Sequence, residues 1–195
     1  RAADDIDVRL ELRLALLPLG DMQASFVHLH AAEELASAIG DDRRLGWILA
    51  YLTVYFSGEG RQDEAIASGR RALALGTAVG DDGLAVMPRF FLGIASLCGG
   101  NLAAAVEFFQ QVVTMLAGAR AAERFGEPGP PAQFARAFLG WSLAELGRFD
   151  EAVAVGEESP RMAQAIDEPF TLMHGYFGVG IPYLARGDVA RAIPQ

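Results

Sequence analysis

Apolar residues recur along this chain at helical spacing. Counting back 13, 10, 6 and 3 residues from Gly60, Gly100, Gly147 and Gly187 marks four stripes, which include Trp47 and Val54, Met87 and Phe90, Phe134 and Trp141, and His174 and Phe177. Those offsets place the residues of a stripe on one face of a helix. Leu52, Leu92 and Leu139 lie on a different face, so these helices are apolar on more than the single side that an ordinary surface helix needs. Two arrangements satisfy the pattern. Neighbouring helices bury the stripe as core, or the stripe lines a groove for something else.

The glycines used for counting set the larger pattern. Gly20, Gly60, Gly100, Gly147 and Gly187 are spaced 40, 40, 47 and 40 residues apart. Each precedes a small residue by five positions, Ser25, Ala65, Ala105, Ala152 or Ala192. A fixed period in this range is the signature of stacked helical repeats, in which no unit can bury its apolar face alone. Leu92-Gly93, Leu139-Gly140 and Val179-Gly180 each place their glycine seven residues before the turn glycine, within the first helix of the pair. A glycine there and an alanine twelve residues later let two antiparallel helices approach closely, and the turn glycine takes the left-handed conformation that ends the first helix. Thr53 replaces the glycine in repeat two, and repeat one is the most degenerate. Ile39-Gly40-Asp41-Asp42 and Val79-Gly80-Asp81-Asp82 predict a helix stop followed by an aspartate N-cap, and Pro169 belongs at the start of a helix. Pro88, Pro160 and Pro182 fall inside helices, where local kinks are expected. The Pro/Gly-rich stretch 118–131 accounts for the longer interval as an inserted loop, either a binding loop or a tolerated insertion.

Leu-Gly, turn Gly and Ala at these spacings resemble the tetratricopeptide repeat, with a longer second helix and connector than its usual period of about 34 residues. The resemblance implies an all-α fold, a right-handed superhelical solenoid of about five antiparallel helix pairs filling residues 1–195 as a single repeat domain. It also implies that the apolar stripes face the concave side. Glu123-Arg124-Phe125-Gly126-Glu127-Pro128-Gly129-Pro130, Phe138-Leu139-Gly140-Trp141 and Asp167-Glu168-Pro169-Phe170 further resemble the C-terminal repeat region of proteins that join a class III adenylate or guanylate cyclase domain, an AAA-type ATPase domain and tetratricopeptide repeats. Such a setting implies a fragment of a longer signalling protein whose catalytic residues lie elsewhere. The alternative is the helical sensor of a signal-transducing ATPase that regulates transcription.

Composition narrows the partners. The net charge of −9 over 195 residues, from 25 acidic and 16 basic side chains, disfavours nucleic acid and anionic lipid. Every basic residue is arginine, which excludes a P-loop or Schiff-base lysine. The single cysteine, Cys98, permits no internal disulfide, fits a cytoplasmic location and is expected to be a small buried hydrophobe. The longest uncharged stretches contain Gly or Pro and do not resemble membrane spans. His28 and His30 are turned about 200° apart on a helix and cannot share a metal, and Gly175-Tyr176-Phe177-Gly178-Val179-Gly180 lies within a helix rather than after a strand. No catalytic, metal or cofactor site is expected. The candidates are groove residues: Trp47, Tyr51, Met87, Phe90, Phe134, Trp141, His174 and Phe177. The expected partner is a protein or peptide, another domain of the same polypeptide included, and the apolar stripe is also compatible with a homodimer.

Overall fold

The computed structural model describes residues 1–16 and 19–194, and every regular element among them is helical. In chain order these are α1 (Ala2–Leu16), α2 (Met22–Ile39), α3 (Asp42–Gly58), α4 (Gln62–Val79), α5 (Asp82–Cys98), α6 (Leu102–Met115), a 3-10 segment over Gly118–Ala122, α7 (Pro131–Glu145), α8 (Phe149–Gly156), α9 (Glu158–Ile166), α10 (Pro169–Arg186) and α11 (Val189–Ala192). The five turn glycines stand between helices as the spacing predicts, with φ from 68° to 84°, a region that glycine occupies without steric cost. Packing divides the chain into two compact units, Arg1–Gly99 and Gly100–Gln195.

In the first unit α1 packs on α2, α3 on α4, and successive pairs meet through α2 with α3 and α4 with α5. Glycines set how near the helices come. A Cβ on Gly69 would stand 2.7 Å from Leu92 Cγ, and one on Gly76 would stand 2.5 Å from Leu84 Cβ and 2.8 Å from the Leu84 carbonyl oxygen. Leu84 and Leu92 are fully buried as a result. Thr53, at the site where later repeats have glycine, is accommodated because the facing helix has Gly69, whose added Cβ would lie 3.1 Å from Thr53 Oγ1. The threonine hydroxyl is satisfied by donating to the Leu49 carbonyl at 2.9 Å.

The predicted aspartate caps are present. Asp41 accepts from the Arg44 N–H at 3.0 Å and Asp81 from the Leu84 N–H at 2.9 Å. Each cap also holds an arginine: Arg44 bridges Asp41 and Asp7, both at 2.7 Å, and Arg43 reaches Asp81 at 2.6 Å. The Arg44 guanidinium holds the Asp7 carboxyl below its ordinary value, and the Arg44 N–H followed by its guanidinium does the same for Asp41. Burial pushes Asp81 upward, but the Leu84 N–H and Arg43 outweigh it and leave it lowered.

In the second unit α7 is central, touching α6, α8, α9 and α10. The close approach expected between Gly140 and Ala152 exists, and a third helix joins it. A Cβ on Gly140 would lie 3.2 Å from the carbonyl oxygens of both Ala152 and Gly178; one on Gly156 would lie 2.6 Å from Gly178 O. The second helix of repeat four is split into α8 and α9. Pro160 has no N–H to give the Gly156 carbonyl, and α8 ends at Gly156. The buried Gln133 amide donates to Ser159 Oγ at 2.7 Å and fastens α9 to α7. Pro88 and Pro182 stand inside α5 and α10, which continue through them.

Cys98 contradicts expectation. It is exposed, because it is the last residue of α5 and leads into the exposed Gly99-Gly100 turn.

Gly156→Ala is expected to destabilise the protein by roughly 1–3 kcal/mol, because the added methyl meets backbone, whereas an alanine inside a free helix is normally favoured. Gly58→Ala, at the end of α3 with nothing within 4 Å, is expected to be neutral or stabilising. Urea unfolding of the two variants checks the contrast.

The lowered carboxylates stabilise the native state above the ordinary aspartate value of about 3.9, and that contribution is lost as pH falls below it through the lower native values. Asp81→Asn keeps an N-cap acceptor but removes one such group. It is expected to flatten the decline of melting temperature with acidification below about pH 4.

Candidate functional site

Trp47 and Tyr51 lie four residues apart on α3, with ring centroids 5.9 Å apart and both side chains half-buried. One face of Tyr51 is already occupied: the Arg13 guanidinium of α1 sits 3.6 Å from its centroid. Tyr51 also meets Phe91 of α5 at 6.0 Å. Met87 and Phe90 are interior, at 0% and 5% exposure, and serve as core.

The second unit has a denser aromatic cluster on α7 and α10. Phe138 is its centre, with Trp141 at 6.3 Å, His174 at 6.3 Å and Phe177 at 6.2 Å, and Phe109 of α6 stacked on it at 5.7 Å. Trp141 and Phe177 meet edge to face at 5.4 Å and 84°, and both remain partly open to solvent. The Trp141 indole N–H donates to Glu145 Oε1 at 3.0 Å, which fixes ring and carboxylate together. His174 is oriented by donation from Nδ1 to the Phe170 carbonyl at 2.9 Å and packs on Phe134 at 4.9 Å and Phe170 at 4.5 Å. Phe134 is 5% exposed and belongs to the interior. Around the cluster, Phe170, Met173 and Leu184 of α10 are exposed apolar side chains.

Segment 118–131 is docked rather than free. Arg124 donates to the Glu168 carboxylate at 3.0 and 3.2 Å and to the Pro128 carbonyl at 2.7 Å. Gly129 lies so close to α7 and α10 that a Cβ would be 2.5 Å from Phe134 Cζ and 2.7 Å from Thr171 Oγ1. Two strings far apart in sequence, 123–130 and 167–170, are thus one structural feature at the beginning of α10, beside the aromatic cluster.

Comparison with solved structures gives the same architecture. A candidate kinesin light chain of Podosopora anserina with nearly identical TPR-like repeats superposes with a TM-score of 0.70 at 18% identity, over 97% of this chain and 90% of that one. A point variant of it gives 0.71 at 18% identity, with coverage of 97% and 90%. BtubC (BKLC) from P. vanneervenii gives 0.64 at 15% identity, over 99% of this chain and 84% of that one. The fold is that of TPR-like repeats. No family model matches the chain, and no curated protein sequence does.

Within this TPR-like fold the eight candidate residues separate by exposure. Met87, Phe90 and Phe134 back the helices from within, while Trp47, Tyr51, Trp141, His174 and Phe177 retain accessible surface. Sequence reasoning missed Phe138, Phe170 and Glu145. Phe138 had a signal, since it precedes Gly147 by the nine residues that separate Tyr51 from Gly60. Among the described residues no group of three His, Cys, Asp or Glu side chains is placed to hold a metal ion, and no helix is long and apolar enough to cross a membrane.

Arg124→Ala is expected to raise amide hydrogen exchange across 118–131 and the first turn of α10, with little change in global stability because the ion pair is partly solvated. Unchanged exchange in that segment would mean that the Arg124–Glu168 pair does not hold it.

Proposed function

We propose that this chain is a non-enzymatic interaction module that binds a peptide segment of a partner protein, or of another domain of its own polypeptide, through the aromatic face of α7 and α10. One observation carries this reading: Trp141 and Phe177 form a rigid corner that stays partly exposed, continued along α10 by Leu184 at 56% exposure. Large aromatics kept at the surface are the residues that anchor protein interfaces, because they bury much area at little cost in side-chain entropy. The wider setting in this reading is the regulatory region of a signalling protein that also carries cyclase or ATPase domains. Its support is the resemblance of strings 123–130 and 167–170, which the fold joins through Arg124 and Glu168.

Peptides selected from a displayed random library against the protein are expected to lose at least roughly tenfold in affinity for Trp141→Ala, which removes an anchor of the kind worth about 2 kcal/mol or more. Circular dichroism is expected to remain helical, because solenoid stability is distributed over nearest-neighbour contacts. Selected peptides that bind the variant as tightly as the parent would refute this face as the binding surface.

A further inference from the structure

Charge around the aromatic corner is one-sided. In the second unit every arginine from Arg120 to Arg191 is held by a carboxylate of the same unit. Glu145 is not among those carboxylates. Among the described residues its hydrogen-bond partner is the Trp141 indole, which holds the carboxylate at the rim of the corner without neutralising it. The other charged side chains on the two helices are committed elsewhere, Arg136 of α7 to Glu158 and Arg186 of α10 to Asp150.

The corner also has the geometry that attracts a cation. Two π systems touch edge to face at 84°, so a group seated in the angle beside their contact lies against the negative face of one ring and within reach of the other. The first unit already shows a guanidinium in this role. Arg13 lies 3.6 Å from the Tyr51 centroid, and Tyr51 occupies in its repeat the position that Phe138 occupies beside the corner. A flat guanidinium suits such a place better than an ammonium, because it stacks on a ring and still offers its edge to a carboxylate.

We propose that Trp141, Phe177 and Glu145 form a binding site for the guanidinium of an arginine in a basic segment of the partner. This rests on the interaction-module reading and specifies its ligand. The guanidinium stacks on the corner, its edge N–H groups donate to Glu145, and the net charge of −9 raises the encounter rate with basic rather than acidic segments. An acidic segment at the same place would meet Glu145 with like charge.

The test is fluorescence anisotropy of the intact chain with three labelled tetrapeptides: arginine, its neutral isostere citrulline, and glutamate. The arginine peptide is expected to bind at least roughly tenfold more tightly than citrulline, with no detectable binding of glutamate. Trp141→Ala and Glu145→Gln are each expected to weaken arginine binding by roughly fivefold or more, while Glu34→Gln, an exposed carboxylate of the first unit, changes it less than about twofold. Phe177→Leu, which keeps apolar volume but removes a π face, is the second variant should Trp141→Ala fail to fold, and it is expected to show the same loss. Arginine binding that survives both aromatic substitutions would be diffuse attraction to an acidic surface and would overturn the proposal, as would failure of the arginine peptide to bind. Citrulline or glutamate peptides that bind as tightly as arginine, and lose that binding in Trp141→Ala, would overturn the cation preference while leaving the interaction face standing.

Discussion

Helices in this protein are joined where glycine lets one backbone rest against another. Gly76 lies against the Leu84 carbonyl, and Gly140 and Gly156 against that of Gly178. The two prolines within continuous helices fall four residues after these same carbonyls, Pro88 after Leu84 and Pro182 after Gly178. A proline lacks the N–H that would bond to the carbonyl four residues earlier, so each leaves that oxygen without its helical partner. In both places the freed oxygen is the atom pressed against a glycine of the neighbouring helix, where a Cα–H can supply a weak hydrogen bond. Proline and glycine, each unfavourable inside an isolated helix, together define a close contact that other residues would obstruct.

Electrostatics arranges the ends of the helices. In the first unit Asp81 caps α5 and the same carboxylate holds Arg43 of α3, so there capping and stacking are one interaction, while Arg44, tied to its own cap Asp41, reaches Asp7 of α1. The second unit uses its arginines differently. Arg124 ties the inserted segment to Glu168 at the beginning of α10, and Arg136 with the buried Gln133–Ser159 pair secures α9 after the break that Pro160 imposes. The inserted segment therefore supports the wall on which the aromatic cluster stands.

Much of this was legible because repetition makes each rule testable several times in one chain. The turn glycines, the aspartate caps at Asp41 and Asp81 and the close approach at Gly140 follow from local backbone chemistry, which a sequence displays directly. The break before Pro160 was visible as a proline, but whether a helix continues past a proline depends on its neighbours: Pro88 and Pro182 are carried through and Pro160 is not. Exposure was the least legible property. Met87 and Trp141 are both stripe positions, yet one is buried and the other half-open, because periodicity gives the face of a helix and not what covers it. The docking of segment 118–131 through Arg124 and Gly129 links residues 44 positions apart, a contact that no local pattern announces.

Glycine contacts bring α7, α8 and α10 together at Gly140, Gly156 and Gly178, and the aromatic corner of α7 and α10 stays partly open to solvent. Equilibrium unfolding of the double variant Trp141→Ala, Phe177→Ala tests this most directly. Fully buried aromatics lose roughly 3–5 kcal/mol each on truncation to alanine. A combined loss below about 3 kcal/mol is the predicted result for side chains that are half-open and lie off the glycine contacts. A loss of roughly 6 kcal/mol or more would contradict the account and make the corner part of the core.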